Sequence, residues 1–89
     1  MDVIQIKITN FDDEKIKGHR QWFMKYFKKG NFLILGPSQT FKNAGVIIAK
    51  TKNDDELHQI LKGDPFYPND AEYQINHFIP KEINSKIVK

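Results

Sequence analysis

An α+β domain, one antiparallel sheet with two helices on it, is predicted by three features of this 89-residue chain. Isoleucines alternate with polar residues at its start. An amphipathic stretch of helical period follows and closes on Gly30. A second helix-like stretch, opened by Asn53 and closed by Gly63, then separates two further strand-like runs.

Residues 2–9 form the first strand, because Ile4, Ile6 and Ile8 point one way and Gln5, Lys7 and Thr9 the other. Residues Asn10 to Glu14 bring capping side chains and early acidic residues, which start a helix. That helix is expected to run to Lys29, with Ile16, His19, Phe23 and Phe27 on one stripe, flanked by Trp22 and Tyr26. Gly30 ends it in the left-handed manner. Gly18 costs the helix roughly 1 kcal/mol relative to alanine. Either it admits a backbone or ligand beside His19, or it is a plain irregularity.

Residues 31–36 read as a second strand, apolar enough to be buried on both faces. Pro37 to Asn43 is a loop, and Ala44 to Thr51 a third strand. Asn53 with Glu56 three positions on has the spacing of a capping box, opening a helix with Leu57, Ile60 and Leu61 on its apolar face. Gly63 stops that helix, and a last strand covers 72–79, with Tyr73, Ile75, His77 and Ile79 on one side. Strand, helix, strand, strand, helix, strand is the ferredoxin-like split pattern, with both helices on one face of a four-stranded antiparallel sheet. The first and last strands read as apolar on nearly both sides, so the face without helices is expected to pack against a second copy.

Size and composition narrow the function. Residues 1–80 make one domain and 81–89 a polar, basic tail. With 39% hydrophobic and 28% charged residues the chain reads as globular. So small a core hides only about two-thirds of the unfolded chain's surface, another reason to expect a homodimer. The absence of cysteine excludes disulfides, thiolate metal sites and a cysteine nucleophile. No signal-peptide pattern opens the chain and no apolar run approaches the ~20 residues of a membrane span, so a cytoplasmic protein without membrane partners is expected. The net charge of +3 comes from scattered lysines without interleaved aromatics, which argues against nucleic acid as a partner. His58 and His77 show no metal-ligand spacing, and phosphate-loop and dinucleotide fingerprints are absent. Neither metal nor cofactor is expected.

The chemistry concentrates on His19 and Asp64. A histidine titrates near neutral pH, and a carboxylate can select its tautomer and hold its charged form. Asp64 stands before Pro65, which keeps its backbone extended. Read alone, His19 is a core histidine with one satisfied nitrogen, and Asp64 an ordinary turn residue.

The order of three motifs changes that weighting. The chain resembles the YciI-like (YCII-related) proteins in Gly18-His19-Arg20-Gln21-Trp22-Phe23, in Gly30-Asn31-Phe32-Leu33-Ile34-Leu35-Gly36-Pro37 and in Gly63-Asp64-Pro65-Phe66-Tyr67. The resemblance implies a dimeric α+β barrel of ferredoxin-like subunits. It implies that His19 and Asp64 match the family's active-site pair. Relatives with assigned chemistry include a dehydrochlorinase acting on a muconolactone-type substrate. After Tyr67 the chain departs from the pattern with Pro68-Asn69-Asp70, which is expected to alter the pocket wall.

Three residues are candidates for holding a substrate. Ser38 could donate to a substrate oxygen, although a plain loop serine is the simpler reading. Arg20 could grip a carboxylate in two-pronged fashion, although one helical step turns it about 100° from His19. Tyr67 is either a phenolic donor or a plug at the edge of the core. Together these readings predict a small lyase or isomerase with His19 as general base acting on a small carbonyl or lactone substrate. The rival is a non-catalytic module that binds a small molecule in the same pocket.

Overall fold

The computed structural model describes residues 1–87, so Val88 and Lys89 of the expected tail lie outside the described residues. The elements are β1 (Asp2–Ile8), α1 (Asp13–Lys29), β2 (Phe32–Pro37), β3 (Ala44–Ala49), α2 (Asp54–Leu61) and β4 (Ala71–His77), with a short 3-10 turn at Ser85–Ile87. The four strands form one sheet in the order β2-β3-β1-β4, every neighbouring pair antiparallel. This is the ferredoxin-like arrangement. No helix among the described residues is long and apolar enough to cross a membrane.

Local chemistry sets the helix ends. The Asp12 carboxylate accepts the Glu14 and Lys15 amides and caps α1, and Gly30 closes it at φ 88° in the left-handed region. The Asn53 side chain accepts the Glu56 amide at 2.9 Å and caps α2. The return half of the capping box lands one residue early, because Glu56 accepts the Lys52 amide at 3.1 Å. Gly63 does not end α2 as expected. The helix stops at Leu61 with Lys62 right-handed as its cap, and Gly63 serves a neighbour instead. A Cβ there would stand 3.1 Å from Trp22 Cδ1, so the missing side chain leaves room for the indole.

That indole reorganises the core. Trp22 is buried and donates its ring N–H to the Ile60 carbonyl at 2.7 Å, tying α1 to the end of α2. Phe27, expected on the buried stripe, is 44% exposed. Around Trp22 pack Ile4, Ile6, Phe32, Ile47, Leu57, Ile60, Leu61 and Phe66, all buried. Burying one such side chain is worth about 1.5–3 kcal/mol.

Two expectations about the sheet are corrected. β2 is an edge strand, and Leu33 and Ile34 are exposed rather than buried on both faces. A register shift between Phe32 and Ile34 turns Phe32 and Leu35 both toward the core. The side away from the helices carries exposed Gln5 and Lys7 on β1 and Glu72, Gln74 and Asn76 on β4, so these strands are apolar on one side only. His77, on the same side of β4 as Tyr73 and Ile75, does not face the uncovered side of the sheet. It lies on the helix side, pairing through Nδ1 with Asp2 and through Nε2 with Asp54 of α2 at 3.4 Å.

Candidate active site

His19 faces inward from the second turn of α1, ringed by Trp22, Phe23 and Phe66 at centroid distances of 5.4–5.5 Å. Asp64 arrives from the turn after α2, where its amide donates to the Leu61 carbonyl at 3.1 Å and its own carbonyl accepts the Tyr67 amide at 2.9 Å. The two side chains meet: His19 Nδ1 lies 2.8 Å from Asp64 Oδ1.

Gly18 makes the approach possible. A Cβ at that position would stand 2.8 Å from Cγ of Pro65, closer than packed carbons come. The proline following the carboxylate therefore rests directly on the helix backbone beside His19.

Asp64 is saturated with donors. Its side chain is fully buried. Oδ1 faces His19 Nδ1 and accepts the Phe66 amide at 3.3 Å, and Oδ2 accepts the Tyr73 hydroxyl at 2.6 Å. A carboxylate so surrounded is an acceptor at every contact, so Nδ1 carries the hydrogen and Nε2 of the neutral ring keeps its lone pair. Burial first, and then the bond to Asp64, push the Tyr73 phenol far above the ordinary tyrosine range. The phenol stays a neutral donor.

His19 also borders a cavity of about 710 Å³ between α1 and the β2-β3 end of the sheet. Ile8, Phe11, Ile16, Phe23, Leu35 and Ile47 supply apolar walls, and Arg20, Asp13 and Asn43 are the other polar groups lining it. This volume lies within the range of small-molecule sites. The arrangement of a buried carboxylate, an imidazole and an apolar hollow in sequence is suited to moving a proton.

Of the candidate residues the cavity lining gathers His19 and Arg20, while Asp64 lies behind His19 and Ser38 and Tyr67 are not part of it. Arg20 is exposed yet lines the same hollow. Ser38 does not: its hydroxyl oxygen accepts the Thr40 and Phe41 amides at 3.1 and 3.0 Å, and it borders a separate hollow with Gln5, Lys7 and Gln74. Tyr67 packs its ring on Tyr73 at 5.4 Å and is absent from the cavity lining. Pro68, Asn69 and Asp70 do not line it either. Asp70 instead pairs with Lys15 and accepts Asn10 Nδ2 at 3.1 Å, fastening the start of α1 to β4. Among the described residues no three His, Cys, Asp or Glu side chains cluster as metal ligands.

Residues 6–79, which include His19, Asp64 and Tyr73, match the family model of the YCII-related domain. The chain belongs to the YCII-related family. No curated protein matches it. Within this YCII-related domain sequence reasoning overlooked Tyr73. Its position on the same side of β4 as Ile75 was the available signal, because a phenol turned toward a core must find a partner for its hydroxyl.

Proposed function

We propose that this YCII-related protein is a small enzyme of the lyase or isomerase type, with His19 as general base and Asp64 holding it. The supporting observation is the 2.8 Å contact between His19 Nδ1 and buried Asp64 at the edge of an apolar cavity. In the reaction Nε2 takes a proton from a carbon next to a carbonyl or lactone group. The C–H electron pair moves onto the carbonyl oxygen as an enolate. When the pair returns it either expels a leaving group on the neighbouring carbon or collects a proton at a new one. The Asp64 charge stabilises the imidazolium throughout. Arg20 at the cavity is placed to receive an anionic end of the substrate.

The working unit is proposed as a cytoplasmic homodimer that closes an α+β barrel across the uncovered sheet face. Support comes from exposed Ile34 and Val46 beside Ile48 on that face, which leave an apolar patch at the β2-β3 end.

The test is exchange of carbon-bound hydrogen in heavy water, followed by NMR across a panel of small lactones and keto acids. The proposal expects exchange into at least one compound, reduced about 10²- to 10⁴-fold in His19→Ala. Binding without exchange would make the chain a ligand-binding module.

A further inference from the structure

We infer that Tyr73 is a positioning residue for His19, acting through Asp64 and not on the substrate. Among the described residues its hydroxyl is the one donor reaching Oδ2 of Asp64, at 2.6 Å, while Oδ1 takes the Phe66 amide and faces His19. A carboxylate pinned at both oxygens cannot swing about its terminal bond. Phe66 alone would hold one oxygen, and at 3.3 Å only loosely. Tyr73 supplies the second anchor from the most rigid element available: it lies in mid-β4 opposite Ile6 of the central strand β1. The direction in which Asp64 aims is thus referred to the sheet, although Asp64 itself sits in a turn.

Tyr73 does not line the cavity that His19 borders, so no direct contact with a ligand there is open to it. The groups around it agree with a neutral donor. Tyr67 covers its ring at 5.4 Å, and the Asp64 and Asp70 carboxylates both disfavour a phenolate. Asp13 and Arg20, the charged groups lining the His19 cavity, make no hydrogen bond to Tyr73. The consequence is that Tyr73 sets which ring nitrogen of His19 carries the hydrogen. For catalysis this rests on the proposed role of His19; as a statement about the imidazole it stands without a substrate.

The experiment is nitrogen-15 NMR of His19 in the full-length chain, reading the tautomer ratio and the solvent exchange of the Nδ1 hydrogen. Wild type is expected to hold the Nδ1–H tautomer almost exclusively. Tyr73→Phe, which keeps the ring, is expected to give a mixture of tautomers and at least tenfold faster exchange of that hydrogen. Tyr67→Phe, which removes a phenol not bonded to Asp64, should change neither. A folded Tyr73→Phe with the wild-type tautomer ratio and exchange rate would overturn the inference. Should Tyr73→Phe not fold, fluorotyrosine incorporated at all three tyrosines provides a more acidic donor of similar size. A displaced His19 Nδ1–H resonance then supports the inference, and an unmoved one overturns it. A His19 that responds to Tyr73 in a chain without exchange activity would end the enzymatic proposal and leave this one standing.

Discussion

Pro65 occupies the space where a side chain on Gly18 would begin, with its Cγ 2.8 Å from the ideal Cβ position. The residue before His19 and the residue after Asp64 are therefore in direct contact, and the spacing of the pair depends on a missing methyl group.

Gly18→Ala is accordingly expected to destabilise the fold even though alanine is the better helix former by about 1 kcal/mol. The clash is with a stiff ring, and overpacking of this kind costs roughly 1–3 kcal/mol. Chemical denaturation should show a net loss or no gain, and His19 should lose its preference for the Nδ1–H tautomer. A stabilised variant with an intact tautomer would mean that Pro65 yields freely.

Trp22→Phe removes the indole donor from the Ile60 carbonyl and opens space beside Gly63. The Gly63 amide still serves that carbonyl at 3.1 Å, so the loss is that of one buried bond plus a modest cavity. Together these come to roughly 1–3 kcal/mol. The change should appear in the denaturant midpoint, with the slope unaltered.

Alkaline stability should depend on Tyr73. Its phenol ionises near 10.0 in the unfolded chain and well above that when folded, through burial and then the bond to Asp64. A folded value above the unfolded one gives stability that is fully present below pH 10 and is lost as pH rises beyond it. Wild type should therefore lose stability above about pH 10 more steeply than Tyr73→Phe does. Parallel curves for the two would place the phenol in solvent.

The uncovered sheet face yields a prediction about assembly. Ile34 is 46% exposed on the edge strand β2, and lysine is well tolerated at such a position in a lone subunit. In the proposed homodimer, Ile34→Lys would place a charge in the contact. Sedimentation should find wild type dimeric and Ile34→Lys shifted to monomer with its circular dichroism unchanged. A wild-type monomer at micromolar concentration would remove the barrel.

Elements with a local cause could be read from the residues. The alternation of Ile4, Ile6 and Ile8, the caps at Gly30 and Asn53 and the order of strands and helices all appear in the structure. What depends on distant partners could not. The helical period alone cannot separate a stripe that runs from Ile16 through Phe23 to Phe27 from one centred on Trp22. The choice is made by Ile60 and by the space above Gly63, 38 and 41 positions away from Trp22. β2 read as doubly buried because its apolar run is dense, yet its place at the sheet edge is a property of topology. The neighbourhood of His19 and Asp64 was suggested by family resemblance, since their separation of 45 residues carries no geometric signal. Tyr73 was passed over because alternation says which way a residue points and not what its hydroxyl will meet.

The most direct measurement of the central claim, that Asp64 holds His19 as a base facing the cavity, is the His19 tautomer in wild type and in Asp64→Asn, read by nitrogen-15 NMR. The account predicts a hydrogen on Nδ1 and a free Nε2 in wild type, and a loss of that preference in the folded variant. A His19 that carries its hydrogen on Nε2, or that ignores the change at Asp64, would contradict it.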